Sequence, residues 1–502
     1  MLPIISQASK NLHKIAIHSD GKSYHYQQLI DESQSLAYEL LSNKSDLVED
    51  RVAFMVNPGF NYVKSLWAIW QAGGIAVPLC ITHPLPSLEY VLEDTGAQIL
   101  IISQEYEIVL KPFILRTNIK VIIIDNFDSL INEGEISTIN SLPIIDLNRK
   151  ALILYTSGTT NKPKGVVTTH NNIKAQITTL INAWEWTTDD NTICVLPLHH
   201  VHGIINVVCC SLWSGATCTF IAQFSPKVIF ELFRINKINV FMAVPTIYFK
   251  LMTYLESITA NEQHDLKEIM KAFRLMVCGS AALPISVMEK WEHFSGQRLL
   301  ERYGMTELGM AISNPYNADR RAGYVGMPLP GVSVKLVNEE YIEVPKNEPG
   351  EIIVKGENVF LEYWNKESAT SASFTNDGWF KTGDIAIIED NYFRIMGRNS
   401  VDIIKSGGYK ISALEIEEVL RTYELVDDCA VVGIQDEEWG ELIVAAIVTK
   451  DVVQFDEKNI SEWFTDKMAS YKKPRKYIIL DELPRNAMGK VVKNDVKKLF
   501  EK

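Results

Sequence analysis

The sequence predicts an α/β protein, with a large N-terminal domain of mixed or parallel sheets with helices and a small α+β C-terminal domain. Helical stripes alternate with β-branched runs along most of the chain, and this texture changes near residue 398. The chain has 502 residues, of which 47% are hydrophobic and 22% are charged. This length and composition indicate a globular protein with more than one domain.

Helix and strand patterns alternate along the large domain. Leu29, Leu36 and Leu40 fall on one stripe and predict a helix over residues 26–42. Short apolar runs rich in β-branched residues predict buried strands, as in a parallel or mixed sheet. The predicted strands are Val52–Val56, Ile99–Ile102, Val121–Ile124, Leu152–Tyr155, Ile193–Leu196, Val240–Val244 and Leu275–Cys278.

The segment after residue 398 is long enough for a small domain of its own. Its Ser406-Gly407-Gly408 turn precedes a predicted helix over Ala413–Thr422. Strands are predicted at Cys429–Ile434 and Leu442–Val448. The predicted division is an N-terminal domain of residues 1–397, a hinge of residues 398–402 and a C-terminal domain of residues 403–502.

Charge and cysteine content exclude several classes of protein. The net charge of −13 argues against a broad nucleic-acid or anionic-lipid surface, so phosphate binding must be local. The seven cysteines are odd in number and include no C-x-x-C pair, which favours a reducing compartment. The N-terminus resembles no signal peptide, and no segment has the pattern of a membrane span. We therefore expect a cytoplasmic protein that binds small molecules and neither nucleic acid nor membrane.

The segment Leu152–Gly165 is an apolar strand that runs into a polar loop. The loop carries the hydroxyls of Thr156, Ser157, Thr159 and Thr160, the glycines Gly158 and Gly165, and the cation of Lys164. Glycines allow close backbone approach and hydroxyls donate hydrogen bonds, so the loop suits a polyphosphate. It is not a Walker A loop, because Gly165 is followed by two valines instead of Lys-Ser or Lys-Thr.

The loop Tyr155–Gly165 resembles the signature of the adenylate-forming superfamily of acyl-CoA synthetases, amino-acid adenylation domains and luciferases. Further strings agree with that superfamily in the same order, so the resemblance covers nearly the whole chain. These are Leu196-Pro-Leu-His-His200, Tyr303-Gly-Met-Thr-Glu307, Gly378-Trp-Phe-Lys-Thr-Gly-Asp384, Gly397-Arg398 and Asn486-Ala-Met-Gly-Lys490.

The resemblance implies an ATP site. Thr156, Ser157, Gly158, Thr159, Thr160 and Lys164 would hold the β- and γ-phosphates, Thr306 the α-phosphate and Glu307 a Mg²⁺ ion. Asp384 would accept hydrogen bonds from the ribose hydroxyls, with Arg398 nearby as a ribose or phosphate contact. The adenine walls would be Gly279, Ser280, Ala281, Glu301, Arg302, Tyr303, Gly304 and Met305, with Tyr303 stacked on the base.

The resemblance also implies two half-reactions in one site. Lys490 would approach the carboxylate and α-phosphate during adenylation, and His200 would orient the acyl carboxylate. The small domain would then rotate as a mobile lid, so that Ser406, Gly407 and Gly408 form a channel for the CoA thiol. One residue more than usual separates Arg398 from the Gly-Gly turn, so the rotating residue is Ser400 or Asp402.

The strings around His200 and Thr306 are most similar to those of the malonyl-CoA synthetases, which implies the substrates malonate, ATP and CoA and a role in fatty acid metabolism. A second carboxylate in the pocket needs a cation. We expect Arg274 to supply this cation, and Arg302 is the alternative. If Arg274 does not bind the substrate, we expect it to pair with a protein carboxylate. A zinc site at His199, His200 and His202 is not favoured, because adjacent side chains on an extended backbone diverge.

Three alternative functions remain open from the sequence. The first is a CoA synthetase for methylmalonate or a short monocarboxylate. The second is an adenylation enzyme that loads a separate carrier protein, and the third is a binding protein with decayed chemistry. Because the chain ends at Lys502, no room is expected for a fused carrier. The presence of Lys164, Thr306, Glu307, Asp384 and Lys490 argues against decayed chemistry.

Overall fold

The structure, a computed structural model, describes residues 1–126, 141–156, 163–235, 237–450, 455–465, 467–485 and 490–500. The strands in chain order are β1 Ile15–Ser19, β2 Lys22–His25, β3 Arg51–Met55, β4 Ile75–Pro78, β5 Ile99–Ile102, β6 Lys120–Ile123, β7 Lys150–Thr156, β8 Lys164–Thr169, β9 Asn191–Cys194, β10 Thr217–Phe220, β11 Val240–Ala243, β12 Leu275–Cys278, β13 Leu300–Met305, β14 Gly309–Ser313, β15 Met327–Pro328, β16 Ser333–Val337, β17 Gly350–Lys355, β18 Glu362–Tyr363, β19 Phe380–Glu389, β20 Tyr392–Arg398, β21 Ile403–Ser406, β22 Tyr409–Ser412, β23 Val426–Asp436, β24 Gly440–Thr449 and β25 Lys476–Leu480.

The α-helices are α1 Pro3–Ala8, α2 Tyr26–Leu41, α3 Phe60–Gln71, α4 Leu85–Thr95, α5 Glu107–Arg116, α6 His170–Trp184, α7 Cys210–Ser214, α8 Pro226–Ile235, α9 Pro245–Ser257, α10 Ala260–Lys271, α11 Ile285–Ser295, α12 Glu367–Ala372, α13 Ala413–Leu420, α14 Glu457–Thr465 and α15 Lys493–Phe500. A π-helix, His202–Cys209, precedes α7. None of the described helices is long and apolar enough to cross a membrane.

Within the described residues the strands form four sheets. The first has the order β15-β14-β13-β12-β11-β9-β10-β1-β2, and the second has the order β18-β8-β7-β4-β3-β5-β6. Both have parallel centres and antiparallel edges, such as β1–β2 and β7–β8. The third sheet, β16-β17-β19-β20, is antiparallel. The predicted α/β class with mixed sheets is confirmed.

The apolar runs explain why the central strands are buried on both faces. All four residues of β5 and of β12 are buried, as expected for parallel strands covered by helices. The large core also encloses Trp67, Trp70 and Trp184, which are almost fully buried. Because β12 and β13 run parallel, their carboxyl ends lie at one edge of the sheet, where ligands bind in open α/β sheets.

The small domain is built around the fourth sheet. It has the order β22-β21-β24-β23, and β25 pairs with β24. Helix α13 packs on this sheet, with Ile416 and Leu420 in a core separate from that of the large domain.

The turn between the two domains is held by hydrogen bonds. Strand β20 ends at Arg398, and β21 begins at Ile403 in the other sheet. The N–H of Asp402 donates to the Arg398 carbonyl at 2.7 Å, and Asp402 Oδ2 accepts from the Arg398 N–H at 2.9 Å. Asp402 Oδ1 lies 2.7 Å from Nζ of Lys493 in α15, whereas Ser400 is exposed. Asp402 therefore contacts both domains, and the identity of the rotating residue stays a prediction.

Candidate active site

A carboxylate on β19 joins three elements of the site. Asp384 pairs with Arg398 in the β19–β20 ladder, and Arg398 Nε donates to Asp384 Oδ1 at 2.9 Å. The hydroxyl of Tyr303 on β13 donates to Asp384 Oδ2 at 2.6 Å. Burial opposes the charge of Arg398, but the Asp384 carboxylate outweighs it and raises the pKa of the guanidinium. Asp384, Arg398 and Tyr303 therefore fix one another's positions at the place where the resemblance implies that the ribose binds.

A second buried carboxylate, Glu307, lies in the turn between β13 and β14. Its Oε1 accepts a hydrogen bond of 2.9 Å from the Tyr363 hydroxyl, and burial raises the pKa of Glu307. The same tyrosine ring faces Lys164, whose Nζ lies 5.0 Å from the ring centroid. Tyr363 therefore connects a cation of the phosphate-loop segment with the candidate metal ligand.

The hairpin β7–β8 holds both ends of the predicted phosphate loop. Thr156 and Lys164 face each other in its antiparallel ladder. Ser157, Gly158, Thr159 and Thr160, which the sequence assigns to phosphate binding, lie outside the described residues. A Cβ at Gly165 would lie 2.8 Å from the Ile153 side chain, so the packing of the hairpin requires glycine there.

Ser280 connects the end of β12 with a buried cation. Arg302 Nη2 donates to Ser280 Oγ at 3.2 Å, and the same oxygen lies 3.1 Å from His202 Nδ1. Burial lowers the pKa of Arg302 to about 10 and that of His202 well below its usual range. Arg302 Nε and His202 Nε2 are buried without a hydrogen-bond partner among the described residues. A Cβ at Gly279 would lie 2.6 Å from Arg302 Nη1, so this approach requires glycine.

Glu301 is a buried carboxyl beside this network. Burial raises its pKa to about 8, and the nearby charge of Glu418 in α13 adds to the shift. Glu301 is therefore mostly protonated at neutral pH. The other predicted adenine-wall and α-phosphate residues lie close by: half-buried Gly304, Met305 and Thr306 at the end of β13, and exposed Ala281 after β12.

His200 is a neutral imidazole at pH 7. Burial lowers its pKa to about 4, with a contribution from the charge of Lys490. Its ring centroid lies 4.0 Å from that of His199, and its Nε2 is buried without a partner in the described part of the chain. The described residues contain no group of three or more His, Cys, Asp or Glu side chains that could hold a metal ion.

Lys490 comes from the small domain and reaches the site of the large one. Desolvation of its ammonium and the charge of Arg398 lower its pKa. Asp384 and Arg302 also interact with it electrostatically, as it does with His200. Lys490 thus lies near two further cations, Arg398 and Arg302, and near Asp384. Such a group of cations can bind a phosphate ester and a carboxylate side by side.

The Ser406–Gly408 turn is not brought to this cluster. Gly407 and Gly408 connect β21 to β22 with φ angles of +57° and +83°. A Cβ at Gly407 would meet the Trp439 ring of the small domain at 3.3 Å, and one at Gly408 would meet no described atom within 4 Å. The thiol channel at this turn stays a prediction.

Known families match both parts of this architecture. Residues 5–364 match the AMP-binding enzyme family, and residues 415–490 match the AMP-binding enzyme C-terminal domain. The chain belongs to the AMP-binding enzyme family. The predicted resemblance to adenylate-forming enzymes is therefore confirmed.

Among the relatives of this AMP-binding enzyme is the human mitochondrial malonate–CoA ligase ACSF3. It is 40% identical over 98% of this chain and 91% of the human protein. ATP-bound MatB from Rhodopseudomonas palustris superposes with a TM-score of 0.90 at 31% identity, over 100% of this chain and 99% of that chain. A malonyl-CoA ligase ternary product complex with methylmalonyl-CoA and AMP gives a TM-score of 0.68 at 32% identity, over 97% and 100% of the two chains.

Arg274 does not lie in the site, contrary to our expectation. It precedes the first residue of β12, whereas the site lies beyond the last, about 13 Å away at 3.3 Å per residue. Its Nε and Nη2 donate to the two oxygens of Asp190, each at 2.6 Å, and Nη1 donates to the Trp184 carbonyl at 2.8 Å. The guanidinium is therefore occupied by a protein carboxylate, and Arg302 stays the alternative candidate for the cation of the acyl pocket.

Sequence reasoning missed two residues of the AMP-binding enzyme site. Tyr363 binds Glu307, and His202 binds Ser280 beside Arg302. The sequence signal at His202 is a cluster of histidines that suggests only a zinc ligand, and the string Glu362-Tyr363-Trp364 carries no chemical signal of its own. Both depend on contacts between distant segments.

We expect the Glu301 carboxyl to make stability depend on pH. The folded state keeps its proton up to about pH 8, whereas the unfolded chain loses it near the ordinary pKa of 4.5. Folding therefore binds a proton in this window, and stability falls as pH rises through it. The free energy of unfolding of wild type should decrease across this window, and in Glu301→Gln this decrease should be smaller by roughly 2–4 kcal/mol. Urea unfolding of the nucleotide-free enzyme at pH 5, 6.5 and 8 measures it, and parallel profiles for the variant and wild type would contradict it.

We expect Arg274→Met to lower stability by about 3–5 kcal/mol, because the buried Asp190 carboxylate loses its cation. The Michaelis constants of the folded variant should stay unchanged. Arg298→Met is the matched control, since its pair with Glu292 is exposed and should contribute less than about 1 kcal/mol. Thermal and urea unfolding measure both variants. A stable Arg274 variant with weakened substrate binding would return Arg274 to the pocket.

Proposed function

We propose that this AMP-binding enzyme is a malonate–CoA ligase, which converts malonate, ATP and CoA to malonyl-CoA, AMP and pyrophosphate. The observation that carries the proposal is Arg302, a buried cation that forms no ion pair with any described residue. The name of the human relative, which matches 98% of this chain, supports the same substrate.

The pocket around Arg302 suits a second carboxylate. A buried guanidinium without an anion is costly, and a ligand carboxylate would neutralise it through two hydrogen bonds. Ser280 and the neutral His202 border the same space and offer further polar contacts. A monocarboxylate would leave Arg302 unpaired. This favours malonate over butyrate and leaves methylmalonate as the second candidate, because its product occupies a related ligase.

In the first half-reaction, a malonate oxygen forms a bond to the α-phosphorus of ATP, and the bond to pyrophosphate breaks. Arg302 would hold the remote carboxylate while His200, which is neutral, contacts the reacting one. Lys490 would bridge that carboxylate and the α-phosphate, and Asp384 would hold the ribose. Holding two anions in line in this way is the main contribution that a protein makes to such a displacement.

Glu307 fits a Mg²⁺ site that ATP completes. Its carboxylate is a hard oxygen ligand, and burial raises its pKa in the absence of a cation. Mg²⁺ commonly takes one or two protein carboxylates, with phosphate oxygens and water as its other ligands. The ion would neutralise charge on the phosphates. The Tyr363 hydroxyl would keep the Glu307 carboxylate oriented toward them.

In the second half-reaction, the CoA sulfur bonds to the malonyl carbonyl carbon, AMP leaves with the bond electrons, and the thiol proton is released. We propose that the small domain rotates about residues 398–402 to bring Gly407 and Gly408 to the site. Because glycine has no side chain, this turn would leave room for the pantetheine arm of CoA. Rotation also withdraws Lys490, which adenylation no longer needs.

We propose a reducing compartment, the cytoplasm, and a role in fatty acid metabolism for this ligase. All seven cysteines are unpaired and buried, and a reducing environment preserves such thiols. Localisation of the tagged full-length chain by fractionation tests the compartment.

The decisive assay measures pyrophosphate and AMP release from ATP with malonate, methylmalonate, acetate, butyrate or amino acids, each with and without CoA. The expected result is CoA-dependent turnover that is fastest with malonate, with malonyl-CoA detected by mass spectrometry. Lys490→Ala should lose most adenylation and keep the conversion of supplied malonyl-AMP. Transfer to a pantetheinylated carrier protein but not to CoA, or a preference for another acid, would overturn the assignment.

Arg302→Met should reduce kcat/KM for malonate by roughly thirtyfold to several thousandfold, because the bound remote carboxylate loses a charge-assisted contact of about 2–5 kcal/mol. Butyrate, with an apolar end of similar size, should lose far less. The measured quantity is the malonate-to-butyrate ratio of kcat/KM at saturating ATP and CoA. Arg274→Met serves as the control and should leave the ratio unchanged. An unchanged ratio in Arg302→Met would remove it from the acyl pocket.

A further inference from the structure

Helix α11 of the large domain receives its N-terminal cap from the small domain. Pro284, at its N-cap position, provides no side-chain hydrogen bond. The N–H of Ile285, the first helical residue, instead donates to Glu418 Oε1 of α13 at 2.8 Å. The first N–H groups of a helix lack partners within the helix, and a carboxylate there is favoured by the helix dipole. The contact is half-buried on both sides.

The capped helix adjoins the nucleotide site. Ser280 lies five residues before Ile285, and the backbone of the intervening Leu283 is close enough to the Glu301 carboxyl to lower its pKa against the effect of burial. The segment between the predicted adenine wall and α11 is therefore held by Glu301 of the large domain on one side and by Glu418 of the small domain on the other.

The other faces of α13 connect the same contact to Lys490. Glu417, the neighbour of Glu418, points into the small domain, where its Oε1 lies 2.7 Å from Nζ of Lys493 and accepts the N–H of Val431 at 2.8 Å. Lys493 follows Lys490 by three residues. At the N-terminus of α13, the Ser412 hydroxyl donates to the Met396 carbonyl of β20. Docking of α13 therefore fixes Lys493, and with it the chain that starts at Lys490 three residues earlier.

We propose that Glu418 is a positioning residue that selects the small-domain orientation in which Lys490 reaches the acyl and phosphate groups. The proposal rests on the proposed two-step ligase reaction. Ile285 and Glu418 belong to different domains, so any rotation that presents Gly408 must break their hydrogen bond. At nearly equal identity, the chain superposes more closely on ATP-bound MatB than on the ternary product complex, with TM-scores of 0.90 and 0.68.

The test separates the two half-reactions in the full-length enzyme. Glu418→Ala should slow malonate-dependent ATP–pyrophosphate exchange about fivefold to fiftyfold, the range expected for a charged hydrogen bond that is partly exposed. Conversion of supplied malonyl-AMP and CoA should be unchanged or faster. Glu418→Gln, which keeps an acceptor oxygen, should recover much of the exchange. Glu462→Ala is the control, because that exposed glutamate pairs with Lys458 of its own helix in the small domain.

Equal losses in both half-reactions, or unchanged exchange in Glu418→Ala with an active wild type, would overturn the proposal. A second measurement needs no acyl substrate: spin labels at His264→Cys and Asn459→Cys report the distance between domains with ATP bound. Glu418→Ala should shift or broaden this distance distribution, and an identical distribution would also overturn the proposal. If wild type is inactive with malonate but Glu418→Ala still changes the distance distribution between the domains, the result would contradict only the substrate assignment.

Discussion

The Asp384 carboxylate accepts hydrogen bonds from Tyr303 on β13 and from Arg398 on β20, and the interdomain turn begins at the next residue. These contacts join the edge of the parallel sheet, the antiparallel third sheet and the start of the hinge. The position of Lys490 depends on them in turn, because its ammonium lies near both Asp384 and Arg398. The carboxylate that is predicted to bind the ribose and the start of the interdomain turn are therefore parts of one hydrogen-bonded unit.

The interior beside this unit is polar and incompletely paired. Arg302 Nε, His202 Nε2 and Glu301 Oε2 are buried without partners among the described residues, and each such group costs free energy in the folded state. Burial also shifts the pKa of each group toward its neutral form. A buried cation, a neutral imidazole and a protonated carboxyl together match the anionic ligand that we propose, which would supply the missing partners.

Sequence reasoning succeeded where the signal is local. Ile99–Ile102 and Leu275–Cys278 have the predicted bounds, because a short run buried on both faces leaves little choice of register. It failed at Arg274, since strand alternation predicts which face a side chain occupies and not which partner it meets. Asp190 lies 84 residues away in sequence. The contact between Glu418 and Ile285 spans 133 residues and carries no motif, so only the folded chain reveals it.

The Asp402 carboxylate makes two contacts at the interdomain turn, and they affect how fast the turn can rotate. It accepts from the Arg398 N–H and pairs with Lys493, while its own N–H donates to the Arg398 carbonyl. Turning the backbone at this position exchanges several bonds at once, so intermediate angles would leave them unmade. If Asp402 is the rotating residue, we expect the turn to have two stable conformations rather than a continuous range of angles. The two chemical steps would then be separated by a discrete waiting time, which the strength of these few bonds sets.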